Sequence, residues 1–120
     1  MSTNKKNIRR GEIWLVDFNP GKGFEIIKKR PALVISSDSI GVLPIKLVSP
    51  ITQWKNSFNN KSWLVKIIPD NQNNLDKIST FDALQLRGVD KSRFISKIGK
   101  ITFSKQKEVS SAIALVIEYY

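Results

Sequence analysis

Cysteine and histidine are both missing from this chain of 120 residues. Without cysteine there is no disulfide, no thiolate nucleophile and no sulfur-ligated zinc, a composition that fits a reducing compartment. Without histidine, a Ser-His-Asp triad and a paired-histidine ribonuclease mechanism are excluded, and a zinc site also loses its usual nitrogen ligands. No apolar run approaches the ~20 residues that cross a bilayer, and no apolar signal-like stretch follows the basic start. The expectation is a soluble cytoplasmic protein with no membrane partner, no metal and no cofactor. Acidic residues are scarce too: 10 Asp and Glu stand against 20 Lys and Arg, leaving a formal charge of +10.

An excess of this size has two readings. Either lysines are scattered over a wet surface and keep the protein soluble, or a polyanion, nucleic acid or an acidic protein, covers them. The second is favoured because several cations sit beside chemically useful residues. A membrane-surface role lacks the basic amphipathic helix it would need. The length suits one domain burying roughly two-thirds of its unfolded surface, and no repeat or composition break suggests a second. Residues 1–9, MSTNKKNIR, are expected to be a disordered basic N-terminus, with a single domain over residues 10–120.

The organising stretch is residues 23–36, GFEIIKKRPALVIS. Its apolar half, introduced by a proline that cannot donate to a ladder, reads as a strand buried on both faces over residues 32–36. Arg30-Pro31 then fixes a permanent cation where a basic loop enters the core, a natural place to handle phosphate. Period-two patterning predicts strands at residues 12–18, 43–51, 63–68, 79–86 and 95–101. Pro44 and Pro50 in the 43–51 strand argue for an edge or a bulge. Residues 69–77 read as an Asn-rich turn and residues 89–93 as one helical turn. One helix is expected, capped by Ser104, with Val109, Ala112, Ile113, Val116 and Tyr120 at helical spacing. The fold class is therefore mostly β: a compact, largely antiparallel barrel with a C-terminal α-helix packed on it.

Five stretches in register carry a resemblance. They are Arg10-Gly11-Glu12-Ile13-Trp14, Gly23-x-Glu25 leading to Arg30-Pro31 and the ALVIS run, Ser49-Pro50-Ile51-Thr52, Gln85-Leu86-Arg87 with Val89-Asp90-Lys91, and Lys97-Ile98-Gly99. Together, over about residues 10–117, they resemble the MazF/PemK/Kid family of toxins. The resemblance implies an SH3-like barrel of the MazF/Kid/CcdB type, a homodimer, and a metal-independent endoribonuclease, an mRNA interferase that cuts single-stranded RNA through a 2′,3′-cyclic phosphate. It also implies an acidic, MazE-like antitoxin as partner, with the pair binding its own promoter DNA.

Arg30 matches the family's catalytic arginine, and a guanidinium's planar fork of donors suits two phosphoryl oxygens. Thr52 matches the family's hydroxyl partner. Glu25 matches the loop carboxylate and suits the base that accepts the 2′-OH proton. Each has a plainer reading: a surface arginine at a strand entrance, a turn threonine, a solvated carboxylate. Lys28 and Lys29 are backbone-phosphate contacts or simply exposed charge. Phe24, Trp54 and Phe58 are candidates to stack RNA bases, or they cover the barrel's open end. Two departures stand out: Leu84 occupies a position that some relatives fill with an acid, with Asp82 two residues earlier, and the histidine of some relatives is absent. The rival readings are a gyrase-poison-like protein, against which the ending Glu118-Tyr119-Tyr120 speaks, and a non-catalytic SH3-like nucleic-acid binding protein.

Overall fold

The computed structural model describes residues 6–19, 23 and 28–119. In chain order they form β1 (Glu12–Asp17), β2 (Lys29–Val34), β3 (Ile45–Gln53), β4 (Leu64–Ile67), β5 (Ser79–Asp82), β6 (Arg87–Asp90), β7 (Phe94–Lys100) and α1 (Phe103–Val116), with short 3-10 turns between some of them. One antiparallel sheet runs β4-β5-β3-β2-β1-β7, and β6 adds to β3. It curls around its core as the expected barrel does, without hydrogen-bonded closure among the described residues.

Alternation along the strands sorts the core into two clusters. Ile13, Leu33, Ile51, Val65 and Phe81 face one side and meet Val109 and Ala112 of α1. Trp14, Val16, Ala32, Val34 and Val48 face the other, under Val89 and Phe94. A sheet covered on both faces needs continuous apolar runs rather than alternation, which is why ALVIS reads as it does. Ile8 joins the second cluster at 4 % exposure, so the end of the stretch expected to be disordered is packed. Residues 1–5 of that stretch lie outside the described residues.

Several boundaries move. β2 begins at Lys29 rather than residue 32, so Arg30 and Pro31 are strand residues paired with Val16 and Leu15. The expected fifth strand ends at Asp82, whose side chain accepts from Leu84 N and starts a 3-10 turn at Ala83–Gln85. β6 then follows where only a helical turn was expected, and that turn is confined to Lys91–Arg93. The helix is capped by Thr102, not Ser104, because Ile101 N still donates to Gly11 O and Thr102 Oγ1 accepts from Lys105 N. Arg10 ties the start of the sheet to this helix: its guanidinium donates to Gln106 Oε1 at 2.6 Å and Ser110 Oγ at 2.9 Å.

β3 corrects the proline argument. It is no edge strand: it pairs with β2, β6 and β5. Its even-numbered residues turn their backbone toward β6 as far as Val48 and toward β5 from Thr52. Pro50 sits in the gap where the partner changes, so its missing donor breaks no rung. Pro31 does break one. Ile35 N donates to Leu47 O, so odd positions of β2 face β3, and continuing that register sets the nitrogen of Pro31 toward Ile51. With no N–H there, the β2–β3 ladder stops at Ala32–Pro50 and the strands fork.

Candidate active site

The fork opens a cavity of about 450 Å³. Its wall takes Arg30 and Pro31 from β2, Ile51, Thr52 and Gln53 from β3, and Asn74, Leu75, Asp76 and Lys77 from the loop after β4, with Ser79 and Ile98 completing it. Arg30 and Thr52, the two residues on which the sequence reading turned, thus line one cavity. Arg30 and Thr52 lie on the two strands just beyond their last pair, Ala32–Pro50, so the fork opens between them. Arg30 Nε is buried and has no hydrogen-bond partner among the described residues. A buried donor left unpaired costs stability, so this one is open to an acceptor from outside the described residues.

The loop from residue 68 to 78 is built to hold its shape. Asn73 is 2 % exposed; its Oδ1 accepts from Asp70 N at 3.1 Å and Leu75 N at 3.0 Å, and its Nδ2 donates to Ile68 O at 2.9 Å. Lys100 N reaches Gln72 O, and Asn74 Nδ2 reaches Ile98 O. Gly99 makes the docking possible, since a Cβ there would stand 2.3 Å from Gln72 O and 2.6 Å from Asn73 O. Asp76 and Lys77 are thereby carried to the cavity. The sequence reading passed them over as turn residues: nothing local says that a loop 46 residues after Arg30 returns to it, and the only signal was the density of Asn and Asp side chains that build rigid turns.

The other candidates fall elsewhere. Phe24 and Glu25 lie outside the described residues. Lys28 and Lys29 are exposed at the start of β2 and outside the cavity wall. Lys28 holds an uncommon φ of +81°, with its N–H donating to Asn19 Oδ1. Trp54 and Phe58 pack edge to face with centroids 5.6 Å apart, and Lys66 Nζ sits 5.4 Å over the Trp54 ring. They line a larger groove of about 880 Å³ between the β3–β4 connection and α1, which shares no residue with the Arg30 cavity. Volume favours that groove. Chemistry favours the smaller cavity, which brings a fixed cation, a hydroxyl and a carboxylate together. Trp14 is core, 8 % exposed against Phe94, and Trp63 is half-buried on the first cluster.

Glu12 does structural work. Burial pushes its carboxyl up, but hydrogen bonds from Lys97, Trp14 and the Arg9 backbone outweigh that and hold it below the usual carboxylate value. Lys97 Nζ lies 2.8 Å away. Among the described residues no group of three His, Cys, Asp or Glu side chains converges on one point, and no helix is long and apolar enough to cross a membrane.

Fold and site together define a small basic barrel with a cavity beside a fixed cation at a strand fork. Comparison with known proteins places it more narrowly. Residues 9–117 match the model of the family described as PemK-like, MazF-like toxin of type II toxin-antitoxin system. The chain is 32 % identical over 107 residues to the endoribonuclease MazF of Staphylococcus saprophyticus, covering 88 % of each. It is 26 % identical to endoribonuclease MazF9 of Mycobacterium tuberculosis, covering 94 % of this chain and 98 % of that one. The chain belongs to the PemK/MazF toxin family. Its fold is theirs: MazF from Deinococcus radiodurans superposes with a TM-score of 0.77 at 21 % identity over 95 % of this chain and 99 % of that one. A mycobacterial endoribonuclease solved with its cognate antitoxin gives 0.76 at 15 % identity over 95 % and 98 %.

Proposed function

We propose that the chain is the toxin of a type II toxin–antitoxin pair, an endoribonuclease that cuts single-stranded messenger RNA without a metal. The observation that carries this is Arg30 and Thr52 lining one cavity, with the buried Arg30 Nε–H lacking a partner among the described residues. The curated relatives are named endoribonucleases, which favours this reading over a non-catalytic or gyrase-directed barrel.

The ribose 2′-OH loses its proton and its oxygen attacks the adjacent phosphorus. The bond from phosphorus to the 5′-oxygen breaks, that oxygen takes up a proton, and the products are a 2′,3′-cyclic phosphate and a 5′-OH. Arg30 neutralises charge growing on the phosphoryl oxygens, and donors fixed in this way are commonly worth ~3–4 kcal/mol. Thr52 holds the phosphate against it. Glu25 is the base; Asp76, the carboxylate on the cavity wall, is the other candidate, and comparing Glu25→Gln with Asp76→Asn separates them. Lys28 and Lys29 contact the RNA backbone. Phe24, with Trp54 and Phe58 in the neighbouring groove, stacks bases, each worth ~1–3 kcal/mol.

An acidic antitoxin segment covers the same cations and blocks the cavity; the pair also binds promoter DNA. A second copy docks on the exposed apolar strip of Ile40, Val42, Leu43, Ile45 and Leu47. Action on messenger RNA places the protein in the cytoplasm. The decisive test is a defined single-stranded RNA cut in the presence of EDTA with product ends mapped. Arg30→Ala keeps its fold and loses at least ~100-fold in rate; a variant that cuts like the parent ends the mechanism.

A further inference from the structure

Among the described residues, only two buried side-chain polar atoms lack a hydrogen-bond partner: Arg30 Nε and Thr80 Oγ1. Both are related to one residue, Thr52. Thr80 on β5 pairs with Thr52 on β3, and Arg30 on β2, beyond the last β2–β3 pair, lines the same cavity as Thr52. Directly paired residues of an antiparallel ladder present their side chains on the same face, so Thr52 and Thr80 stand side by side on one face of the sheet. Thr80 is 1 % exposed and its backbone needs are met by the ladder. A valine would fill the same space without leaving a hydroxyl unpaired. Threonine at such a position has no packing reason.

We infer that Thr80 is a positioning residue for the RNA-cleaving site, its hydroxyl reserved for the Thr52 hydroxyl when a phosphate occupies the cavity. The inference rests on the endonuclease reading above. Thr80 is too buried to touch the substrate; Thr52, half-buried and on the cavity wall, is within its reach. A hydrogen bond between the two fixes the rotation of the Thr52 hydroxyl, so that it meets the phosphate in one orientation opposite Arg30.

The test uses the full chain and the variants Thr80→Val, Thr80→Ser, Thr52→Val and Thr52→Val/Thr80→Val, with kcat, KM and Tm measured on a defined single-stranded RNA in EDTA. Thr80→Val lowers kcat about tenfold, the factor a single hydrogen bond commands, and leaves KM near the parent's. Its Tm stays level or rises, which separates lost positioning from lost packing. Thr80→Ser keeps the hydroxyl and keeps kcat. The double variant is no slower than Thr52→Val alone, because nothing remains to position. Parental kcat in Thr80→Val, or equal losses in the serine and valine variants, overturns the role of Thr80 while leaving the endonuclease intact. A parent protein that leaves the RNA whole overturns the endonuclease reading and this role with it.

Discussion

Arg30 owes its position to its neighbour. A proline at 31 withholds one rung, and the cation beside it stands at the lip of the resulting gap. This was partly legible in the sequence: Arg30-Pro31 before an apolar run marks a cation at a core boundary whatever the family, and the resemblance chose Thr52 out of many threonines. Thr80 and Asp76 were not legible, because each reaches the site by pairing or loop return across more than 20 residues, and spacing along a chain carries no such adjacency. Glu12 shows the opposite case, a carboxylate inside one of the resemblance stretches whose role is structural. Its folded pKa lies below the ordinary 4.5, so the stability it contributes is complete above that value and is lost as pH falls through the folded pKa. In acid melts, the parent is expected to lose Tm more steeply than Glu12→Gln below about pH 4.5. At neutral pH the same substitution lowers stability by under ~1 kcal/mol, because Lys97 is half-exposed. Melting curves across pH 3–7 check both, and parallel curves would remove Glu12 from this role.

Among the elements, β3 and the loop after β4 set the shape of the site. The sequence reading put β3 two residues early, since it followed apolar residues while the strand continues through the polar pair Thr52-Gln53. It missed β6 because Arg87-Gly88-Val89-Asp90 has a single buried residue and no alternation to see; only its pairing with β3 makes it a strand. The helix and most of the other strands were visible because their apolar positions face one of the two cores. Gly99 is the element-scale weak point. The backbone of the loop lies where its side chain would be, so Gly99→Ala pushes the loop off β7 and costs ~1–3 kcal/mol. Asp76 and Lys77 move with it, and RNA cutting at a temperature where the variant is fully folded is expected to fall as well. A Gly99→Ala protein with the parent's Tm and rate would show that the loop docks some other way.

At the scale of the whole molecule, charge and apolar surface point to different partners. The +10 formal charge suits RNA and an acidic antitoxin, while Ile40 at 57 % and Val42 at 93 % exposure suit an apolar partner surface, which the proposal above takes to be the same strip of a second copy. Val42 lies in a connection outside any strand, so Val42→Glu is expected to keep the Tm of the dissociated chain yet shift sedimentation from dimer to monomer. Sedimentation identical to the parent's would take the strip out of the interface. The prolines carry a last consequence. An ordinary residue at 31 would supply the missing amide, let the two strands zip further, and narrow the space beneath. Thermal robustness and room for substrate therefore pull against each other at a single absent hydrogen, and a search for tougher variants of this protein would tend to heal the very seam through which it works.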